Sequence, residues 1–295
     1  MSQLTEMLGC EYPIIQGPVG TLNDPKMISA VSNAGGYGML ALGFIQDPDD
    51  VKLKVKEIKE LTDKPFGANL MLTNPNNPEI LKVLADTGVK VVTTSVGNPA
   101  KIYPVIHDLD MKGFHVVLAL QHAVRAADAG VDGLVLSGSE SGGLRSTGNE
   151  LSTMVLVPLA KDKIDLPIVA AGGIADSRGY RAARALGAEG VQLGTRLIAT
   201  EECNAVQEWK EAIVNCNENQ TALFPLGKMN VRGIITPYIQ KRIDSGEALS
   251  FTFEDIGKAW YNGDFTQAPP GAGQTAALIS SIQPVGEVIR EMVST

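Results

Sequence analysis

Basic residues are in deficit, cysteine, histidine and aromatics are scarce, and no apolar run is long. Each shortage excludes a class of function. The 33 acidic residues outnumber the 25 basic ones and leave a net charge of −8, so nucleic acid and anionic membranes, which such a surface repels, are not expected partners. A small molecule is expected instead, and an anionic one must be held by a local site. The cysteines, Cys10, Cys203 and Cys216, are odd in number and scattered, fitting neither a disulfide framework nor a metal-ligand spacing. No stretch reaches the roughly 18 apolar residues of a membrane span. The first eleven residues lack the apolar core of a signal peptide, so a cytoplasmic location is expected. Aromatics make up 5% of the chain, which suits short aliphatic strands buried on both faces.

Apolar runs at 13–17, 38–42, 66–72, 89–94, 115–120, 133–137, 168–171 and 190–193 alternate with amphipathic segments. Three of those segments open on a cap residue followed by proline: Asp24-Pro25, Asp47-Pro48 and Asn77-Pro78. Glycines such as Gly35, Gly88, Gly130 and Gly187 stop the helices before the next run. Strand, helix, glycine, strand is the rhythm of parallel pairing with helical crossovers. An open doubly wound sheet shares it, but usually has fewer strands and an early dinucleotide fingerprint, which Gln16-Gly17-Pro18-Val19-Gly20 does not supply. The expected fold is therefore α/β, a (β/α)₈ TIM barrel over residues 1–200, with a small, mainly helical subdomain inserted after strand eight at 201–272. Residues 273–295 are expected to form a C-terminal helix that closes the barrel. Within the insert, 201–216 and 247–262 read as helical and 231–240 as mixed.

Ligands of such barrels sit where the strands end. The seventh run ends in Gly172-Gly173 and the eighth in Gln192-Leu193-Gly194-Thr195. Two neighbouring glycine bends let main-chain N–H groups approach an anion closely, and Thr195 adds a hydroxyl, which together read as a phosphate cradle needing no lysine.

These motifs, with 12–18 (YPIIQGP), 34–38 (AGGYG), 65–70 (PFGANL), 139–143 (SESGG) and 170–176 (AAGGIAD), resemble the nitronate monooxygenase family, formerly the 2-nitropropane dioxygenases. That family also contains flavin-type enoyl-acyl-carrier-protein reductases and NADH:quinone reductases. The resemblance spans almost the whole barrel and implies FMN, with NADH or NADPH as possible electron donor and a homodimer as a possible assembly. It further implies that Ile15, Gln16, Gly17 and Pro18 pack on the flavin ring and that Asn69 bonds its polar edge. Ser137, Gly142 and Gly143 would also touch the cofactor, while Gly172, Gly173, Gln192, Gly194 and Thr195 take the phosphate end. No metal is implied.

One departure weakens the catalytic part. The family pattern after strand six is Gly-x-Glu-Ala-Gly-Gly-His, whereas here Leu144 replaces the histidine, and leucine neither takes a proton nor donates a hydrogen bond. His107 falls within a helix, and His115 is expected to open strand five at the bottom of the barrel. His122 follows strand five on the ligand rim and is a candidate catalytic residue. Glu140 and Arg145 are alternatives, the arginine as a holder of a carboxylate or of anionic reduced flavin. The expected activity is FMN-dependent oxidation of a nitronate or similar small anion with O₂. Reduction of an enoyl thioester or quinone by NAD(P)H, and a non-catalytic flavin-binding barrel, are the alternatives. A phosphosugar barrel enzyme would share the phosphate site, but no catalytic lysine or acid pair is evident.

Overall fold

A computed structural model describes residues 2–294. Eight parallel strands form the barrel: β1 (Ile14–Gln16), β2 (Gly38–Ala41), β3 (Phe66–Met71), β4 (Val91–Ser95), β5 (Lys112–Val117), β6 (Gly133–Ser137), β8 (Ile168–Ala171) and β9 (Gly190–Leu193). A short β7 (Gly143–Arg145) lies outside them. The ladder runs β1-β9-β8-β6-β5-β4-β3-β2, so closure depends on the seam between β1 and β2.

That seam is stitched by few bonds. Gln16 N–H donates to the Tyr37 carbonyl (2.9 Å) and Tyr37 N–H to the Ile14 carbonyl (2.8 Å). The Gln16 side chain supplies the missing rung, its Oε1 accepting from Met39 N–H at 3.2 Å. Gln16 thus closes the sheet as a surrogate main-chain carbonyl. Ile15 points into the barrel interior, packed with Tyr37, Met39, Phe114, Val135 and Val169. Helix α1 (Gln3–Leu8) plugs the bottom of the same cluster with Leu4 and Leu8.

Two sequence-derived boundaries shift. The fifth strand begins at Lys112 and ends at Val117, three residues ahead of the apolar run, because α6 (Leu120–Asp128) takes over the rest of it. Phe114 and Val116 pack in the interior cluster while His115 faces outward, so alternation rather than a continuous apolar run marks this strand. The last helix, α13 (Val285–Val293), follows Pro284; residues Gln274–Leu278 form only a 3₁₀ turn. Helix α13 packs against α2 (Pro25–Asn33) and α8 (Ser177–Ala185) and so completes the outer ring.

The inserted segment contains α10 (Gln207–Val214), α11 (Pro237–Asp244) and α12 (Phe253–Asn262). It also contains a hairpin of β10 (Thr221–Leu226) and β11 (Met229–Ile234), whose inner strand pairs antiparallel with β7. Pro225 is tolerated because β10 is the edge strand. Both tryptophans anchor the insert: Trp209 Nε1 donates to the Gly271 carbonyl (2.9 Å) and Trp260 Nε1 to that of Pro269 (3.0 Å), with ring centroids 5.0 Å apart. Among the described residues no helix is long and apolar enough to cross a membrane.

Candidate active site

A cavity of about 890 Å³ opens at the carboxyl ends of the barrel strands beneath the insert, large enough for a cofactor and a small second ligand. Its lining includes Gly17, Pro18, Asn69, Ser137, Gly142, Gly143, Gly172, Gly173, Gln192, Gly194, Thr195 and His122. Of the sequence-derived candidates, Ile15, Gln16, Glu140 and Arg145 do not line it.

The bend after β8 puts Gly172 at φ +90° and Gly173 at φ +75°, a left-handed pair that only glycine adopts without strain. Thr153, the first residue of α7 (Thr153–Lys161), fixes this bend: its hydroxyl oxygen lies 3.2 Å from the Ala171 carbonyl and 2.9 Å from that of Gly172. Among the described residues the N–H groups of Gly172, Gly173, Gly194 and Thr195 have no main-chain partner. Open to the cavity and without a protein acceptor, the N–H groups of the two bends are available to an anion. Thr195 Oγ1 accepts from Gly273 N–H at 2.9 Å and keeps its own proton for donation. Between the bends, buried Gln192 Oε1 has no partner and complements a donor on the same ligand.

Asn69, buried within β3 and lining the cavity, donates through Nδ2 to Thr93 Oγ1 (2.8 Å), and its Oδ1 accepts from the Ser95 hydroxyl (3.4 Å). Its second amide proton has no partner among the described residues. Leu144 lines the cavity beside Met229 and gives that wall an apolar surface.

Two catalytic candidates point away from the cavity, and the place expected of the structural histidine His115 is corrected by the geometry. The Glu140 carboxylate receives Thr153 N–H (2.9 and 3.1 Å) and lies 3.2 Å from the Thr153 hydroxyl. It caps the start of α7, as a carboxylate does at a helix N-terminus. Arg145 is 1% exposed and does not line the cavity. Its Nε and Nη2 bond Glu150 at 2.9 and 2.7 Å, and Nη1 and Nη2 bond the Ser137 hydroxyl and carbonyl at 2.8 and 3.1 Å. With the guanidinium so turned, it does not meet a substrate carboxylate. His115 is not at the bottom of the barrel: it lines an outer lobe of the cavity, shared with His122 and Arg125 of α6 and with the 96–100 loop. His122 itself is exposed in the first turn of α6.

His115 Nδ1 lies 2.8 Å from Thr94 Oγ1. Burial lowers its pKa to about 4, partly offset by the Gly97 carbonyl. An unfolded chain takes up this proton near pH 6.5, the folded one only near pH 4. Between these values acid favours unfolding, so this contribution, up to about 3 kcal/mol, is present above pH 6.5 and lost as pH falls towards 4. Urea unfolding at pH 4.5 and 7 is expected to show a smaller pH difference for His115→Asn than for the wild type; equal differences would refute the assignment. Burial pushes the thiols away from the thiolate form, Cys10 up to about 12, Cys203 to about 11, and Cys216 in the same direction. Among the described residues no cluster suited to a metal ion occurs.

The family profile described as "Nitronate monooxygenase" matches residues 1–86 and 77–295. The chain belongs to the nitronate monooxygenase family. This makes it an oxidoreductase, and its nitronate monooxygenase fold extends to solved structures. It is 34% identical to FabK from Thermotoga maritima, with a TM-score of 0.89 over 99% of this chain and 95% of that one. A probable nitronate monooxygenase of Staphylococcus saprophyticus is 30% identical over 286 residues, 81% of this chain and 80% of that protein. Rhodococcus jostii has a (3aS,4S,5R,7aS)-5-hydroxy-7a-methyl-1-oxo-octahydro-1H-indene-4-carboxyl-CoA dehydrogenase that is 33% identical over 199 residues, 68% of this chain and 55% of that protein.

Ser141, Met229 and Trp260 also line the cavity and escaped the sequence reading. The last two come from the insert, whose docking no local pattern announces. Ser141 lay in plain view inside a quoted motif.

Proposed function

We propose that this chain binds FMN and is an oxidoreductase whose partners deliver or accept electrons without a proton being moved by a side chain at Leu144. The observation that carries the reading is the set of unpartnered amides at Gly172, Gly173, Gly194 and Thr195, which fits the dianionic end of FMN in a protein of net charge −8. Gln192, between the bends, supplies an acceptor for a hydroxyl next to the phosphate, and Asn69 a donor for the polar edge of the ring. When bound, FMN would supply the hydride and one-electron chemistry. The residues of the chain orient it, and the insert excludes water from above.

Two substrate classes suit these walls. A nitronate is already anionic and needs no base, so its oxidation with O₂, the activity in the family name, survives the loss of the histidine. Hydride transfer from NADH or NADPH to the flavin needs none either; an enoyl thioester or quinone that then takes the hydride draws its proton from water, with no side chain at Leu144 to supply it. The apolar Leu144–Met229 wall and the likeness to FabK and to a CoA-thioester dehydrogenase favour this second reading. Anaerobic mixing with each nicotinamide separates them: bleaching of the flavin band supports the reductase, whereas oxygen uptake with a nitronate but not with its neutral nitroalkane supports the oxidase. A protein that does neither is the non-catalytic barrel. Asn69→Ala is expected to raise the FMN dissociation constant about tenfold, the value of one polar contact, measured by flavin fluorescence; an unchanged constant would remove Asn69 from the site.

A further inference from the structure

Resting on the reading of the glycine bends as a phosphate cradle, we propose that the Ser141 hydroxyl is an additional donor to that phosphate and that buried Arg145 fixes its direction through Ser137. Arginine only donates. Its Nη1 donates to Ser137 Oγ at 2.8 Å, so that oxygen acts as acceptor towards the cation. The proton of Ser137 then goes to Ser141 Oγ, 2.9 Å away. Ser141 Oγ thereby accepts, and its own proton has no acceptor among the described residues while the residue lines the cavity.

The geometry sets the direction of the chain. Ser137 Oγ stands as the donor to Ser141 Oγ while accepting from Arg145, and Glu150 holds the guanidinium in place through Nε and Nη2. A hydroxyl that accepts from a cation-polarised donor is a strengthened donor and a weakened acceptor. Its natural complement is an acceptor-only group such as phosphate, rather than a sugar hydroxyl.

Position agrees with this chemistry. A Cβ built on Gly172 would collide with Ser141 Oγ, so the hydroxyl stands directly against the bend that carries the unpartnered amides. This chain departs from Gly-x-Glu-Ala-Gly-Gly-His at two positions within four residues. Leu144 stands in place of histidine and Ser141 in place of alanine. The arrangement brings the influence of a cation to the phosphate while the cation stays out of the cavity. Arg145 is thus a positioning residue.

The test compares FMN with riboflavin, which lacks the phosphate, by fluorescence titration of the apoprotein. Ser141→Ala is expected to raise the FMN dissociation constant about tenfold and to leave that for riboflavin unchanged, with unaltered circular dichroism. Ser137→Ala is expected to weaken FMN in the wild-type background but to cost nothing further when Ser141 is already alanine. Equal loss for both flavins, no loss for either, or additive losses in the double variant would each overturn the relay. A wild-type protein that binds riboflavin as tightly as FMN would overturn the cradle itself, whereas a wild type that prefers FMN and an unaffected Ser141→Ala variant would overturn only the role of Ser141.

Discussion

Gly172→Ala is expected to yield a folded protein that purifies colourless and binds FMN at least 100-fold more weakly than the wild type. Two effects combine at this position. At φ +90° a residue with a Cβ is strained by about 1–2 kcal/mol, and the new methyl group would overlap Ser141 Oγ. That oxygen cannot retreat cheaply, since Ser137 and behind it Arg145 hold it. The bend must therefore move, taking with it the N–H groups that face the ligand. A loss of about 3 kcal/mol corresponds to that 100-fold. Gly173→Ala is the matched control: its φ of +75° is strained too, but the nearest atom to its new methyl, Glu140 Oε1, is 3.4 Å away, so a smaller loss is expected. The ratio of flavin to protein absorbance, with titration of added FMN, measures both. Near wild-type FMN affinity in Gly172→Ala would remove the bend from the cofactor site.

Glu150→Ala is expected to destabilise the apoprotein by about 3–5 kcal/mol, because it leaves a buried cation without its counter-charge. Arg145 and Glu150 have side chains 1% and 7% exposed, so water cannot take over the lost contacts. For a domain of this size the melting temperature should fall by about 10 °C. The measurement belongs on the flavin-free form, since bound cofactor would mask part of the change. Replacing both partners by apolar residues of similar volume should recover most of the stability, yet remove the ordering of Ser137. An unaltered melting temperature in Glu150→Ala would show that the pair contributes little.

The barrel and its glycine bends were legible because both are written in local backbone chemistry. Alternating periodicity specifies parallel units, and Gly172-Gly173 and Gly194 sit where a strand turns at the cavity. Side-chain direction is a different matter. Glu140 and Arg145 sit in a motif that touches the cavity, yet each points away from it, one to a helix end and the other to Glu150. Sequence order gives proximity but not aim. Gln16 was misplaced for a related reason: its motif suggests a cofactor contact, while its amide repairs a seam that exists only after the sheet has curled. His115 was assigned to the wrong end because the alternation of β5 was hidden beneath a longer apolar run. The hairpin of β10 and β11 was hidden by Pro225, Gly233 and Arg232, which interrupt the usual strand pattern and are stabilised by pairing that is not local.

That hairpin has a mechanical consequence. Asn230, Val231 and Arg232 are in register with Arg145, Leu144 and Gly143, so the roof over the cavity and one wall beside it are a single woven panel. The roof cannot swing open like a drawbridge without tearing three rungs or dragging the wall along. Traffic in and out must pass around the panel, and a tug on the distant tip at Gly227 would be felt first at the cavity-lining leucine.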